Sequence, residues 1–269
     1  MTPRPECVLA LFSRAQRRYN AAGGSMSQQT AWVTGGGTGI GLGIARALAD
    51  DGFRVYISGR REAVLAEAAR EYAGDTGTGE LIPLKADVTD EAGLDGAVSR
   101  IRSEAGRVDV AAISAGINVT HRSFADTTAE EWRRIMEINA TGTFLVMKSV
   151  FNLMKEQGGG LIVNVSSVAG LRPLAMAGVA YSASKYASRS LGIFAGNELA
   201  DAKIRVTNVY PGEVSTPILD QRTNPPPAEK RAQMVQPEEI GQVVSLIARM
   251  PDTAHVSELV IKPRYQELV

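Results

Sequence analysis

One cysteine and two histidines, Cys7, His121 and His255, are all that this chain of 269 residues offers a transition metal. Protein sites for such metals usually combine several of these side chains, so a metal centre is not expected. A lone cysteine also excludes an internal disulfide and suits a reducing, cytoplasmic setting. Charge of one sign is missing as well, because 29 Lys and Arg face 29 Asp and Glu. Without a basic surplus there is no electrostatic reason to expect nucleic acid or an anionic membrane as partner. Long hydrophobic runs are absent. The longest apolar stretches are strand-sized, far short of the about 20 residues that span a bilayer. No internal repeat and no low-complexity linker divides the chain, so a single domain over residues 26–269 is the simplest organisation.

Residues 1–25 differ from the rest. They hold four Arg between Arg4 and Arg18, a short apolar run from Cys7 to Phe12, and a Gly-Gly-Ser end. The apolar run is too short for a secretory signal. The stretch is expected to be a dispensable, disordered extension with Met26 as the functional start, and a transit peptide is the alternative.

From Thr30 onward, short apolar runs alternate with helical patterns. Strands are expected at 30–34, 53–58, 81–87, 108–114, 160–166, 204–210 and 258–262. Helices are expected after the first Gly-rich turn, over 61–73, over 90–105, as one long helix over 127–155, over 181–201 and over 237–249. Nearly continuous apolar strands suit a sheet covered on both faces. Strict alternation of strand and helix predicts an α/β fold, a doubly wound parallel sheet of about seven strands. Ligands in such sheets bind at the carboxyl ends of the strands.

Two stretches carry chemistry. "TGGGTGIG" (34–41) ends the first strand and opens the first helix, where Gly35, Gly39 and Gly41 let the backbone turn tightly and approach a pyrophosphate. "YSASK" (181–185) sets Tyr181 four residues before Lys185, a spacing that makes the two neighbours on a helix. Further motifs follow in order: "ADV" (86–88), "SAG" (114–116), "INATGTF" (138–144), "NVSS" (164–167) and "PGEVST" (211–216). Together they make the chain, from about Thr30 to Lys262, resemble the short-chain dehydrogenase/reductase family.

That resemblance implies hydride transfer between NAD(P)H and a carbonyl or alcohol carbon. It places a catalytic tetrad on Asn139, Ser167, Tyr181 and Lys185. Tyr181 would be the general acid and base, and Ser167 would hold the substrate oxygen. The Asn139 side chain would help a water relay protons through Lys185. The implied cofactor contacts are Gly35, Thr38, Gly39, Ile40, Gly41, Arg60, Asp87, Val88, Ala115, Gly116, Tyr181, Lys185, Pro211, Gly212 and Thr216. An acid or base works best with a pKa near the operating pH. A cation about 4 Å away is worth about 4 kcal/mol at an effective dielectric of 20, so Lys185 is expected to bring the Tyr181 phenol down toward neutrality. The same fold also serves catalytically silent, cofactor-binding sensors, which typically lack the Tyr or the Lys.

At the end of the second strand Gly59 stands where the family often has an acid, followed by Arg60 and Arg61. An acid there would hold a ribose 2′-hydroxyl, whereas an Arg accommodates a 2′-phosphate. NADP(H) is therefore favoured, with NAD(H) open. Ser114 stands in place of the second Asn of the family's Asn-Asn-Ala-Gly, and the C-terminal "ELVIKPRYQELV" lacks the family's Gly-Gly end. The segment 213–236, with its "NPPP", is expected to form a short lid over a small substrate. Arg172 could face a substrate carboxylate or simply the solvent, and His121 is expected on a surface loop. Trp132, Ile135, Met147, Phe151, Leu191 and Phe194 suggest apolar helix faces that pair across a two-fold axis, giving a homotetramer or homodimer.

Overall fold

A computed structural model describes residues 28–73, 79–222 and 224–267. The N-terminal extension, with Cys7, lies outside them. Seven strands form one parallel sheet: β1 (Thr30–Thr34), β2 (Arg54–Gly59), β3 (Glu80–Lys85), β4 (Val110–Ile113), β5 (Gly160–Val165), β6 (Ile204–Pro211) and β7 (Glu258–Ile261). Their spatial order is β3-β2-β1-β4-β5-β6-β7. The order reverses between β1 and β4, and ligands of such sheets gather there. The connecting helices are α1 (Gly39–Asp50), α2 (Glu62–Ala73), α3 (Glu91–Ala105), α4 (Ala129–Met136), α5 (Gly142–Glu156), α6 (Val179–Glu198), the short α7 (Ala228–Arg231) and α8 (Pro237–Ala248).

The strands are apolar on both faces because helices cover both. Ala31 and Val33 of β1 pack with Ile44 and Leu48 of α1 and Ile240 and Val244 of α8. Trp32, between them in sequence, points the other way and packs with Leu94 and Ile101 of α3 and Val150 of α5. This is the two-residue period of a strand expressed as two core layers. Helix starts follow their local chemistry. Thr128 and Glu131 form a reciprocal capping box at the start of α4, and Pro237 occupies the first turn of α8.

Three expected boundaries shift for identifiable reasons. β4 stops at Ile113 because the N–H groups of Ser114 and Ala115 turn to the Thr34 hydroxyl, at 3.2 and 3.3 Å, instead of continuing the ladder. Ser114 therefore joins the central strands through its backbone. The long helix expected over 127–155 is broken into α4 and α5 by a π-helical turn, Glu137–Thr141. The helix of the "YSASK" stretch begins at Val179, two residues before Tyr181.

Segment 213–236 is pinned at its base. Val214 and Val235 form an isolated parallel bridge, and Ser215 N–H donates to the Val235 carbonyl at 2.9 Å. Among the described residues no helix is long and apolar enough to cross a membrane.

Candidate active site

The carboxyl ends of the central strands open on a cleft of about 1010 Å³. Its floor is the turn from β1 into α1. Gly35 takes φ +65, and a Cβ there would lie 2.9 Å from the Ala115 backbone. Gly41 is held to glycine by proximity, since a Cβ would lie 2.2 Å from the Gly35 carbonyl oxygen. The turn thus aims the first N–H groups of α1 into the cleft. The first turn of α1 holds no acidic residue, and the Thr38 hydroxyl caps nothing. An N-terminus so arranged suits an anionic phosphate.

Gly35, Thr38, Gly39, Ile40, Gly41, Arg60, Asp87, Val88, Ala115, Gly116, Tyr181, Lys185 and Thr216 all line this cleft. Arg60 is exposed there. Asp87 accepts from the Thr89 N–H at 3.0 Å and from its hydroxyl at 2.8 Å, both through Oδ1. Pro211 and Gly212 line instead a smaller adjoining cavity of about 120 Å³, with Ser167, Val168, Leu174, Met176 and Leu219. Tyr181 borders both.

Tyr181 sits in the first turn of α6, and the packing beneath that helix fixes its height. Asn164 Nδ2 of β5 donates to the Ser188 carbonyl at 2.8 Å and to Asn208 Oδ1 of β6 at 2.9 Å. The Ser188 hydroxyl donates back to Asn164 Oδ1 at 3.0 Å. The Ser166 hydroxyl donates to the Lys185 carbonyl at 3.0 Å. This buried polar network, fully satisfied, anchors the helix to two strands.

Lys185 is buried, and its Nζ donates to the Val165 carbonyl at 3.0 Å. No carboxylate among the described residues pairs with it, and burial pushes its ammonium down to about 8. Nζ lies 5.6 Å from the centroid of the Tyr181 ring. The expected downward shift of Tyr181 is not found. Burial raises the phenol above its ordinary value, while interaction with the Ser167 side chain and the charge of Arg122 pull the other way. Tyr181 is half-buried and Lys185 buried, and desolvation penalises the charged form of each.

Asn139 lies in the π turn and is fully buried. Its side chain is committed: Oδ1 accepts from Ile117 N–H at 2.8 Å, while Nδ2 donates to the Ile117 carbonyl at 2.9 Å and to the Ser184 hydroxyl at 3.1 Å. Ser184 in turn donates to the Tyr181 carbonyl at 2.8 Å. The expected side-chain relay is therefore not what this geometry offers. Asn139 instead clamps the loop after β4 to the helix of Tyr181. A Cβ at Gly116 would lie 3.4 Å from Asn139 Oδ1 and 3.6 Å from Lys185 Nζ, so all three meet at one point.

Arg172 is exposed and lines neither cavity. The basic residues at the smaller cavity are Arg122 and Arg222, which no sequence signal marked, and Arg122 is the one nearer the reacting helix in its contacts. Its Nε donates to the Val119 carbonyl and its Nη1 to the Met176 carbonyl, both at 2.9 Å. His121 is on the surface, 2.9 Å from Glu131.

A family model described as short chain dehydrogenase matches residues 29–226. The chain belongs to the short-chain dehydrogenase family. It is an oxidoreductase of that family acting on an alcohol or a carbonyl. Cyclopentanol dehydrogenase of Comamonas sp. is 36% identical over 250 residues, covering 90% of this chain and 98% of that protein. An alcohol dehydrogenase of the archaeon Thermococcus sibiricus, complexed with 5-hydroxy-NADP, superposes with TM-score 0.79 at 27% identity, covering 89% of this chain and 98% of the other. A closed form of serine dehydrogenase complexed with NADP+ superposes with TM-score 0.80 at 26% identity, covering 89% and 96%.

Proposed function

We propose that the protein moves a hydride between NADP(H) and a small ketone or secondary alcohol, with Tyr181 as general acid and base. The observation that carries this reading is the position of Tyr181. It borders both cavities, beside Ser167 and one helical turn before the buried Lys185. When bound, the nicotinamide supplies the hydride for reduction or accepts it in oxidation. Tyr181 gives its proton to the carbonyl oxygen on reduction and takes it back on oxidation. Its raised pKa keeps it protonated at neutral pH, the form that reduction consumes. The Ser167 hydroxyl donates to the same oxygen and fixes its place. Lys185, buried without a counter-ion on the cleft wall, would hold the nicotinamide ribose hydroxyls. Thr38 and the first turn of α1 would hold the pyrophosphate, and Asp87 with Val88 the adenine.

NADP(H) is favoured over NAD(H) because β2 ends on Gly59, with Arg60 and no acid before Glu62. Arg60 lines the cleft where a 2′-phosphate would lie. The NADP-type complexes of the two structural relatives support the same choice. A small substrate fits the cavity of about 120 Å³ and the cyclopentanol of the Comamonas relative.

Titration with NADPH and NADH, followed by turnover of small ketones with each, tests both halves of the reading. NADPH is expected to bind more tightly, and Arg60→Ala to narrow the preference toward parity. Tighter binding of NADH by the wild type overturns the cofactor choice.

A further inference from the structure

We propose that the substrate carries a carboxylate, and that the Arg122 guanidinium on the wall of the smaller cavity binds it. The proposal rests on the reductase reading above and adds a substrate class to it. Charge in the cavity is unbalanced. Arg122, Glu213 and Arg222 line it together, with Tyr181 as the reacting group. Both carboxylate oxygens of Glu213 are engaged. Oε1 accepts from Arg222 Nη1 at 3.2 Å, and Oε2 accepts from the Tyr265 hydroxyl at 2.9 Å. Among the described residues no carboxylate forms an ion pair with Arg122.

A partly buried guanidinium without a counter-ion is costly, and a bound anion removes that cost. Burial and the nearby charge of Arg222 both push the Arg122 guanidinium below its ordinary value, as expected of a cation lacking an anion. Nε and Nη1 hold backbone carbonyls, and among the described residues Nη2 has no hydrogen-bond partner. Nη2 can donate one charge-assisted hydrogen bond to a carboxylate oxygen.

Arg122 is also held in register with the reacting tyrosine. Its carbonyl accepts from Val179 N–H at 3.1 Å, two residues before Tyr181. Gly178 takes φ +90 and packs so closely that a Cβ there would lie 2.7 Å from Arg122 Cβ. The loop carrying the charge is therefore packed against the turn that leads to the acid. Val168, Leu174, Met176 and Leu219 leave room beside them for a short aliphatic chain. A small oxo acid, or the hydroxy acid it becomes, meets these demands. Hydride adds to the ketone carbon, the Tyr181 proton goes to the ketone oxygen, NADPH leaves as NADP+, and the carboxylate is unchanged.

The test compares oxo acids of four or five carbons, with the ketone at position 2, 3 or 4, against their methyl esters and against cyclopentanone, using NADPH. At least one acid is expected to exceed its own ester and cyclopentanone in kcat/KM. Arg122→Gln should lower that acid's kcat/KM about 10- to 100-fold, the loss of one hydrogen bond to a charged group, chiefly through KM. The ester should lose less than the acid, by about threefold or more, and Arg122→Lys should recover part of the loss. Wild-type enzyme that prefers the ester or cyclopentanone to every acid overturns the proposal and leaves the reductase reading standing. An Arg122→Gln protein that loses acid and ester equally overturns it too, because Arg122 then only positions the loop. NADPH binding with no carbonyl reduced at all overturns the reductase reading, and this proposal with it.

Discussion

Among the described residues, Lys185 keeps an ammonium out of water with only the Val165 carbonyl to receive it. Its ordinary value is 10.5, and in the folded protein it falls to about 8. The unfolded chain therefore holds this proton more tightly, and folding below pH 8 carries the full penalty. The penalty fades as pH rises from about 8 to 10.5. Lys185→Met should stabilise the cofactor-free protein at pH 7 by about 1–3 kcal/mol, the relieved desolvation less one hydrogen bond. Thermal melts of both proteins across that pH range should show the gap narrowing above pH 8. A variant less stable than wild type at pH 7 contradicts the account. The spacing of Tyr181 and Lys185 announced their proximity correctly, but spacing carries no information about solvent. Burial decides the direction in which the phenol shifts, and burial is a property of the folded packing.

The turn that launches α6 links the smaller cavity to Tyr181. Gly178 caps the helix at φ +90 against the body of Arg122. Gly178→Ala imposes both backbone strain and a clash, and should destabilise the protein by about 2–3 kcal/mol in denaturant unfolding. Turnover should fall with it, because Tyr181 stands three residues on. An Ala variant of wild-type stability and rate contradicts this reading of the turn. The strands and most helices were legible because apolar periodicity and turn residues are local signals. The π turn at Glu137–Thr141 was not, because its cause is distant: Asn139 reaches across to the Ile117 backbone. Arg122 was equally silent in the sequence. Its importance comes from the absence of a carboxylate in three dimensions, which no linear motif records.

Three of the exposed aromatics lie on the helices expected to pair two copies. Trp132 of α4 is 40% exposed, Phe144 of α5 47% and Phe194 of α6 67%. Ile135 and Met147, expected on this face, are instead buried in the core. We propose that the remaining residues pair two copies of the chain, in a homotetramer or homodimer. Light scattering should give a multiple of the 28.6 kDa chain mass, and Phe194→Glu should shift it downward with the fold intact. A single species of one chain mass at micromolar concentration contradicts the assembly. The central claim, hydride transfer with Tyr181 as acid, is tested most directly by label transfer from NADPH deuterated at the nicotinamide C4 position. In the wild type the deuterium should appear on the carbinol carbon of the reduced product. In Tyr181→Phe, NADPH should still bind while label transfer drops by about 10²–10⁴-fold. NADPH binding without label in any product, or a Tyr181→Phe protein that transfers it at more than about a tenth of the wild-type rate, would contradict the claim.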